Sequence, residues 1–298
     1  MWLFLGFLSA FLLGFYDTAK KQALSGNAVL PVLLLNTLFS ALIFSPFILS
    51  SELGLGWFDG TMLEVGRGSL HDHLLIILKS AMVLVSWIFG YYGIKHLPIT
   101  IVGPINATRP VLVLVGAMII FGEQLNGFQW TGVLLALVSL FLLSRSGHRE
   151  GVDFTHNKWI FCVAMGAIVG AGCGLYDKFI MRELNPAFVQ GWYGVYQFLM
   201  MGAVVAMIWL PRRRETPMHW SWAIPLISIF LSGADFAYLT ALSSDDAMIS
   251  VVSMIRRGSV VVSFACGALL FREKNLRSKA IDLVFILVGM IFLYLGSR

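Results

Sequence analysis

Ten apolar runs of near twenty residues, parted by short polar breaks, govern what this chain can fold into. They fall at roughly 2–22, 29–49, 74–95, 99–121, 127–145, 158–182, 187–210, 222–242, 246–271 and 277–296. A helix rises about 1.5 Å per residue, so about twenty residues cross a hydrocarbon layer about 30 Å thick. Barrel strands alternate over about ten residues, and these runs are twice as long. The expected fold is an all-α polytopic membrane protein with ten transmembrane helices. Composition agrees: 12% of residues are charged, against about 25% in a soluble domain.

The formal charge of +5 sits in short loops between the runs, where basic residues orient a membrane protein. No Lys/Arg tract with interleaved aromatics points to nucleic acid. Cys162, Cys173 and Cys266 lie inside apolar runs with neither metal spacing nor a disulfide framework. The six histidines do not cluster with acids or cysteines, and no nucleophile–base pair or phosphate loop stands out. An enzyme is not expected, nor a metal or cofactor. The N-terminus has no basic leader and no cleavage signal, so it reads as a retained first helix.

Three polar breaks are long. Residues 50–73 are acidic and Gly-rich, and read as a surface loop or a short interfacial helix. Residues 146–157 read as a linker between halves 1–145 and 158–298, and 211–220 is a further break. With the N-terminus outside, thirteen basic residues fall on the cytoplasmic side and only Arg67, Arg182 and Arg298 outside. That bias predicts both termini outside.

A repeat runs through the chain. Shifted by 160 residues, Gly6, Ala10 and Gly14 meet Gly166, Gly170 and Gly174, and Tyr16–Asp17 meet Tyr176–Asp177. Small residues at every fourth position share a helical face and allow close packing. Downstream, Phe121 and Glu123 answer Phe271 and Glu273, Tyr92 answers Tyr238, and Arg109 answers Arg256 or Arg257. Five helices therefore recur as five more, the second set entering from the opposite side. Such inverted repeats place a substrate site near the midplane between the halves.

Eight charges inside the runs are the candidates: Asp17, Lys79, Arg109, Asp177, Lys178, Asp235, Arg256 and Arg257. An ionisable group in a span marks a function by default, but each also has a local explanation. Asp17 can line a cavity or pair with Lys20 or Lys21 one turn on; Asp177 can do the same or pair with Arg182. Arg109 stands beside Pro110 and near Asn106 in a run broken by prolines, where freed backbone groups need water or protein. It can hold a ligand or bridge to Asp17 or Asp177. Arg256–Arg257, with Ser253 one turn before, can grip a phosphate or carboxylate, or one arginine can bridge Asp235. Lys79 can snorkel to the surface. Trp192, Tyr193, Tyr196 and Gln197, with Asn36, supply further lining, and Glu123 and Glu273 read as structural.

Tyr91–Tyr92, Leu97–Pro98–Ile99–Thr100, Pro104, Pro110, FGEQLN at 121–126 and Gln129-x-x-Gly132 together give the chain a resemblance to the drug/metabolite transporter superfamily, in its ten-helix EamA-like branch. The second copy has FRE where the family has "GE". The resemblance implies a central polar cavity lined by the first four helices of each half, with the fifth and tenth at the periphery, often at a homodimer contact. In the phosphate-translocator and nucleotide-sugar branches, a basic residue or pair on the penultimate helix meets substrate phosphate; Arg256 and Arg257 lie near that position. The expected function is secondary transport of a small polar metabolite, zwitterionic or anionic, by alternating access. A flippase for a lipid-linked sugar or amine is the alternative. The candidate substrate-binding residues are Arg109, Arg256, Arg257, Asp17, Asp177, Tyr16, Tyr176, Asn106, Tyr196 and Ser253, with a coupling proton or an exchange substrate as partner. A bacterial inner membrane is the expected location.

Overall fold

Helices occupy the apolar runs. The computed structural model describes residues 1–24, 27–96, 105, 108–145, 158–213, 218–259, 261–263, 265–266 and 276–296. In chain order the helices are α1 (Trp2–Leu24), α2 (Val29–Glu52), α3 (Leu70–His96), α4 (Arg109–Phe121) and α5 (Gly127–Arg145). They continue with α6 (Lys158–Ile180), α7 (Pro186–Val204), α8 (Ala223–Leu242), α9 (Ile249–Arg256) and α10 (Leu276–Gly296). Among the described residues, six segments are long and apolar enough to cross a membrane: α1, α2, Leu70–Gly90 of α3, Trp159–Ile180 of α6, α7 continued to Trp209, and α8. The chain is an all-α, multi-pass integral membrane protein. Its outer face fits this: Phe4, Phe11, Leu42, Ile119, Phe161 and Leu199 are all exposed, a surface that suits lipid tails and not water.

Local chemistry sets several helix ends. Ser69 and Asp72 form a reciprocal cap, Ser69 N–H donating to the Asp72 carboxylate at 2.7 Å and Asp72 N–H to Ser69 Oγ at 3.3 Å. α3 therefore starts at Leu70, four residues before the apolar run suggests. Between α2 and α3 the chain makes an ordered loop, the first of the two forms expected there. Ser50 Oγ accepts from Trp57 N–H at 3.1 Å, and the Arg67 guanidinium donates to the Glu52 carbonyl at 3.1 Å. Asn185 caps α7 by accepting from Ala187 N–H at 2.7 Å, and Pro186 follows at the first helical position.

The runs 99–121 and 246–271 hold short helices. α4 begins only at Arg109, with Pro110 in its first turn. α9 ends at Arg256, where Arg257 N–H donates to Met254 O and Gly258 N–H to Ile255 O. Each of these two helix ends carries an arginine. Residues 97–104, Asn106, Phe271 and Glu273, and the side chains of Tyr91 and Tyr92, carry parts of the sequence reading that lie outside what the structure describes.

Helices of one half pack mainly on helices of the other. α1 lies on α8 and α3 on α6; α2 meets α7 and α8, α3 meets α7, and α7 touches α8. α4 contacts α6 and α9, α1 contacts α9, and α5 pairs with α10. The α5–α10 contact is close enough that a Cβ on Gly132 would stand 2.7 Å from Gly289 O, the backbone approach that small residues permit. Buried hydroxyls tie the layers: Ser9 Oγ donates to Ala234 O at 2.8 Å and Ser86 Oγ to Gly166 O at 3.0 Å. Such bonds average about 0.6 kcal/mol in a bilayer. The main core gathers Ile76, Ile180, Val189, Leu239, Leu242 and Ile249 from α3, α6, α7, α8 and α9.

Candidate functional site

A cavity of about 440 Å³ lies between the interleaved helices. Helical spacing explains its walls. α3 turns Lys79, Val83 and Trp87 inward at steps of four, and α6 contributes Gly170, Cys173, Gly174 and Asp177 along one face. α1 gives Tyr16, Asp17 and Lys20; α4 gives Arg109; α8 gives Asp235 and Tyr238; α9 gives Ser253 and Arg256, with Arg257 just after it. Five basic and three acidic side chains thus face one space within the membrane.

Two of the acids are paired. Lys79 Nζ donates to Asp177 Oδ1, with side chains only 7% and 11% exposed. The Lys79 ammonium also stands 5.1 Å from the centre of the Tyr193 ring. Lys79 therefore does not snorkel to the surface, and Asp177 pairs across 98 residues and not with Arg182. The apolar flank of α3 offers Lys79 no nearer water, and a carboxylate on the facing helix compensates its charge. Arg256 donates to Asp235 at 2.7 Å and lies 4.0 Å from the Tyr238 ring centre. The bridge between Asp235 and one of the arginines, left open by the sequence, falls to Arg256.

The other charges are less committed. Arg109 donates to the Gly170 carbonyl at 2.6 Å and forms no ion pair among the described residues. A Cβ at position 170 would stand 2.3 Å from Arg109 Cζ, so Gly170 is where α6 makes room for this arginine. The Arg257 and Asp17 side chains have no hydrogen bond or ion pair to any described residue. Lys20 rests 5.3 Å from the Tyr16 ring centre. Setting the two ion pairs aside leaves Arg109, Arg257 and Lys20 against Asp17: three positive charges and one negative around one cavity.

Seven of the ten residues singled out from the sequence line this cavity: Tyr16, Asp17, Arg109, Asp177, Ser253, Arg256 and Arg257. Asn106 lies outside the described residues. Tyr176 and Tyr196 are placed elsewhere, for the same geometric reason. Neighbours on a helix differ by about 100°, so with Asp177 inward, Tyr176 turns to α3 and donates to Leu75 O at 3.1 Å. On α7 the inward ring is Tyr193, while the Tyr196 hydroxyl meets His73 Nδ1 at 3.0 Å beside Trp192. Lys178, counted with the in-span charges, donates to Leu242 O and Ser244 O at the C-terminus of α8, a cation on unpaired helix carbonyls. Glu123 is structural as expected: its carboxylate accepts from Ile249 N–H at 2.7 Å and from Ser250 N–H and Oγ at the start of α9. Lys20, Trp87 and Gln190 were not singled out as site residues; Lys20 is one helical turn from Tyr16 and Gln190 less than two from Tyr196, whereas α3 held no candidate to point to Trp87. Among the described residues no group of His, Cys, Asp and Glu could hold a metal ion.

Helices that cross a membrane and enclose a charged, ligand-sized space are an arrangement that solute transporters use. Residues 1–145 match the EamA-like transporter family, so the resemblance carried by the sequence motifs is met by the chain's first half, and the match is to transporters and not to enzymes. A crystal structure of a protein 16% identical to this chain superposes with a TM-score of 0.73, covering 100% of this chain and 97% of that one. That likeness is one of fold, and it extends through the second half as well. No curated protein matches the chain.

Proposed function

We propose that this protein is a secondary transporter that moves a small anionic or zwitterionic metabolite by alternating access between two inverted five-helix halves, 1–145 and 158–298. One observation carries the proposal: Arg257 lines the cavity with no carboxylate partner among the described residues. A half-buried guanidinium within the membrane without a counter-ion is costly, and a substrate carboxylate or phosphate would compensate it with a bidentate contact. Arg109 and Lys20 add to the same field. Asp17 offers a place for a substrate amine or a coupling proton.

Support for inversion comes from how the helices pair. Exchange each helix with the one five places on, and the most extensive helix contacts map onto one another, whereas smaller ones such as α7–α8 have no counterpart. α1–α8 becomes α6–α3, α4–α6 becomes α9–α1, α3–α7 becomes α8–α2, and α2–α7, α4–α9 and α5–α10 are their own images. A pseudo-twofold axis has this consequence, and five spans in each half would lay that axis in the membrane plane. The basic-residue bias supports both termini outside a bacterial inner membrane, and the family resemblance supports a homodimer contact at the peripheral α5–α10 pair.

Counterflow in proteoliposomes, loaded in turn with amino acids, dicarboxylates and phosphorylated metabolites, tests the proposal. Uptake of an anionic or zwitterionic member is expected, and Arg257→Ala should reduce it at least about tenfold, the loss of one charge-assisted contact. Uptake at wild-type affinity in Arg257→Ala would remove that residue from the site. Movement of lipid-linked substrates alone would favour a flippase instead.

A further inference from the structure

A small recess opens off the main cavity between α2, α7 and α8. The two spaces share Trp87, Gln190, Tyr193, Leu231 and Asp235, and the recess adds Asn36, Thr37, Ser40 and Gln197. Its volume is about 10 Å³, room for about one water-sized group.

Most polar groups around it are engaged. Ser40 and Ser232 hydroxyls bond each other at 2.8 Å, the Thr37 hydroxyl donates to Leu34 O at 2.8 Å, and Asn36 Oδ1 accepts from Ser228 Oγ at 3.1 Å. The two glutamines differ. Gln190 and Gln197 are 2% and 1% exposed, yet Gln190 Oε1 and both amide atoms of Gln197 have no hydrogen-bond partner among the described residues. Leaving such a group unpartnered costs about 1–3 kcal/mol, which a leucine at either position would avoid. The two stand seven residues apart on α7, so they share a face.

Their free atoms specify a ligand chemistry. A cation would use only amide oxygens and an anion only amide nitrogen. A hydroxyl both donates and accepts, uses both kinds, and is water-sized. Resting on the transport reading, we propose that this recess receives a hydroxyl of the same molecule whose anionic end meets Arg109 and Arg257. The substrate class is then a small hydroxylated anion, and Gln190 and Gln197 are the residues that distinguish it from its deoxy analogue. The recess accepts one such group and no more, so a bulky sugar does not enter it.

The test uses the purified full-length chain and matched probes differing by one group: malate with succinate, and glycerol 3-phosphate with propyl phosphate. Affinities are read by ligand-induced thermal shift and by competition in counterflow. The hydroxylated member of a pair is expected to bind about tenfold tighter or more, because its absence leaves the amides unpaired. Gln197→Leu and Gln190→Leu should each bring that ratio towards one. The ligand-free Tm of both variants should hold or rise, since each removes an unpartnered buried amide. A ratio near one in the wild type, a ratio that survives both substitutions, or a Tm that falls in both variants would overturn the recess as a recognition site. Absence of binding and flux for every anion tried would instead remove the anion-transport reading, and the recess assignment with it.

Discussion

Two corners of the cavity carry the same dipeptide in opposite states. At one, Tyr176–Asp177 is closed in: Asp177 is 8% exposed and tied to Lys79, and the Tyr176 hydroxyl is bonded to Leu75 O. Beyond it, His73 packs against Phe188 and Trp192 and bonds Tyr196. At the other, Asp17 is exposed and unpartnered among the described residues, and Lys20 lies over Tyr16. The facing helix makes the difference. α3 brings a lysine to α6, whereas α8, which packs on α1, contains no lysine or arginine at all. A repeated motif has kept its position while its state is set by the partner. A transporter caught open on one side and closed on the other would look like this.

The largest expected effect separates the two acids. Asp177→Asn leaves Lys79 buried without a counter-charge and should cost about 3–5 kcal/mol, seen as a lower Tm in detergent. Asp17→Asn should stay within about 0.5 kcal/mol while reducing transport. Equal losses would erase the distinction between the corners. The double replacement Lys79→Met with Asp177→Leu sharpens it. Removing both charges should recover most of the stability lost in Asp177→Asn, because the cost there comes from the orphaned ammonium.

A smaller effect is expected one helix turn or two away, where the repeat matches Ala10 with Gly170. Gly170→Ala drives a methyl into Arg109 and should cost about 1–3 kcal/mol, with weaker anion binding in a thermal-shift titration. Ala10→Gly meets no such arginine, and should cost only the backbone freedom of glycine, about 0.5–1 kcal/mol. The smallest effect lies outside both corners. Glu123→Gln weakens the cap on α9 and should cost about 1 kcal/mol, with substrate preference unchanged.

The helices were legible because twenty-residue apolar runs have few other fates, and the repeat because Gly, Tyr and Asp recur in one register. The paired acids were legible as a pair but not as opposites. Lys79 looked able to reach water, and only the packing of α3 on α6 brings its ammonium to Asp177. Tyr196 was a candidate and Tyr193 only further lining, yet Tyr193 faces the cavity, because an apolar run does not fix rotation about a helix axis. Gln197 and Asn36 could be read as polar lining, whereas Gln190 drew no notice because a single glutamine in an apolar run carries no charge to flag it. Where α3 begins was hidden because its capping pair, Ser69 and Asp72, looked like more of the acidic loop.

The exchange of roles between the corners is testable by access. In a chain whose Cys162, Cys173 and Cys266 are serine, single cysteines replace Leu13 or Val113, both of which line the cavity. An impermeant maleimide is then offered to either face of sealed vesicles. At rest, Leu13→Cys is expected to react from the face where α1 ends and Val113→Cys from neither. During substrate exchange, or once Asp177→Asn breaks the ion pair, Val113→Cys should react from the opposite face. Reaction of both from one face only, unchanged by substrate or by Asp177→Asn, would mean a static pocket and contradict alternating access.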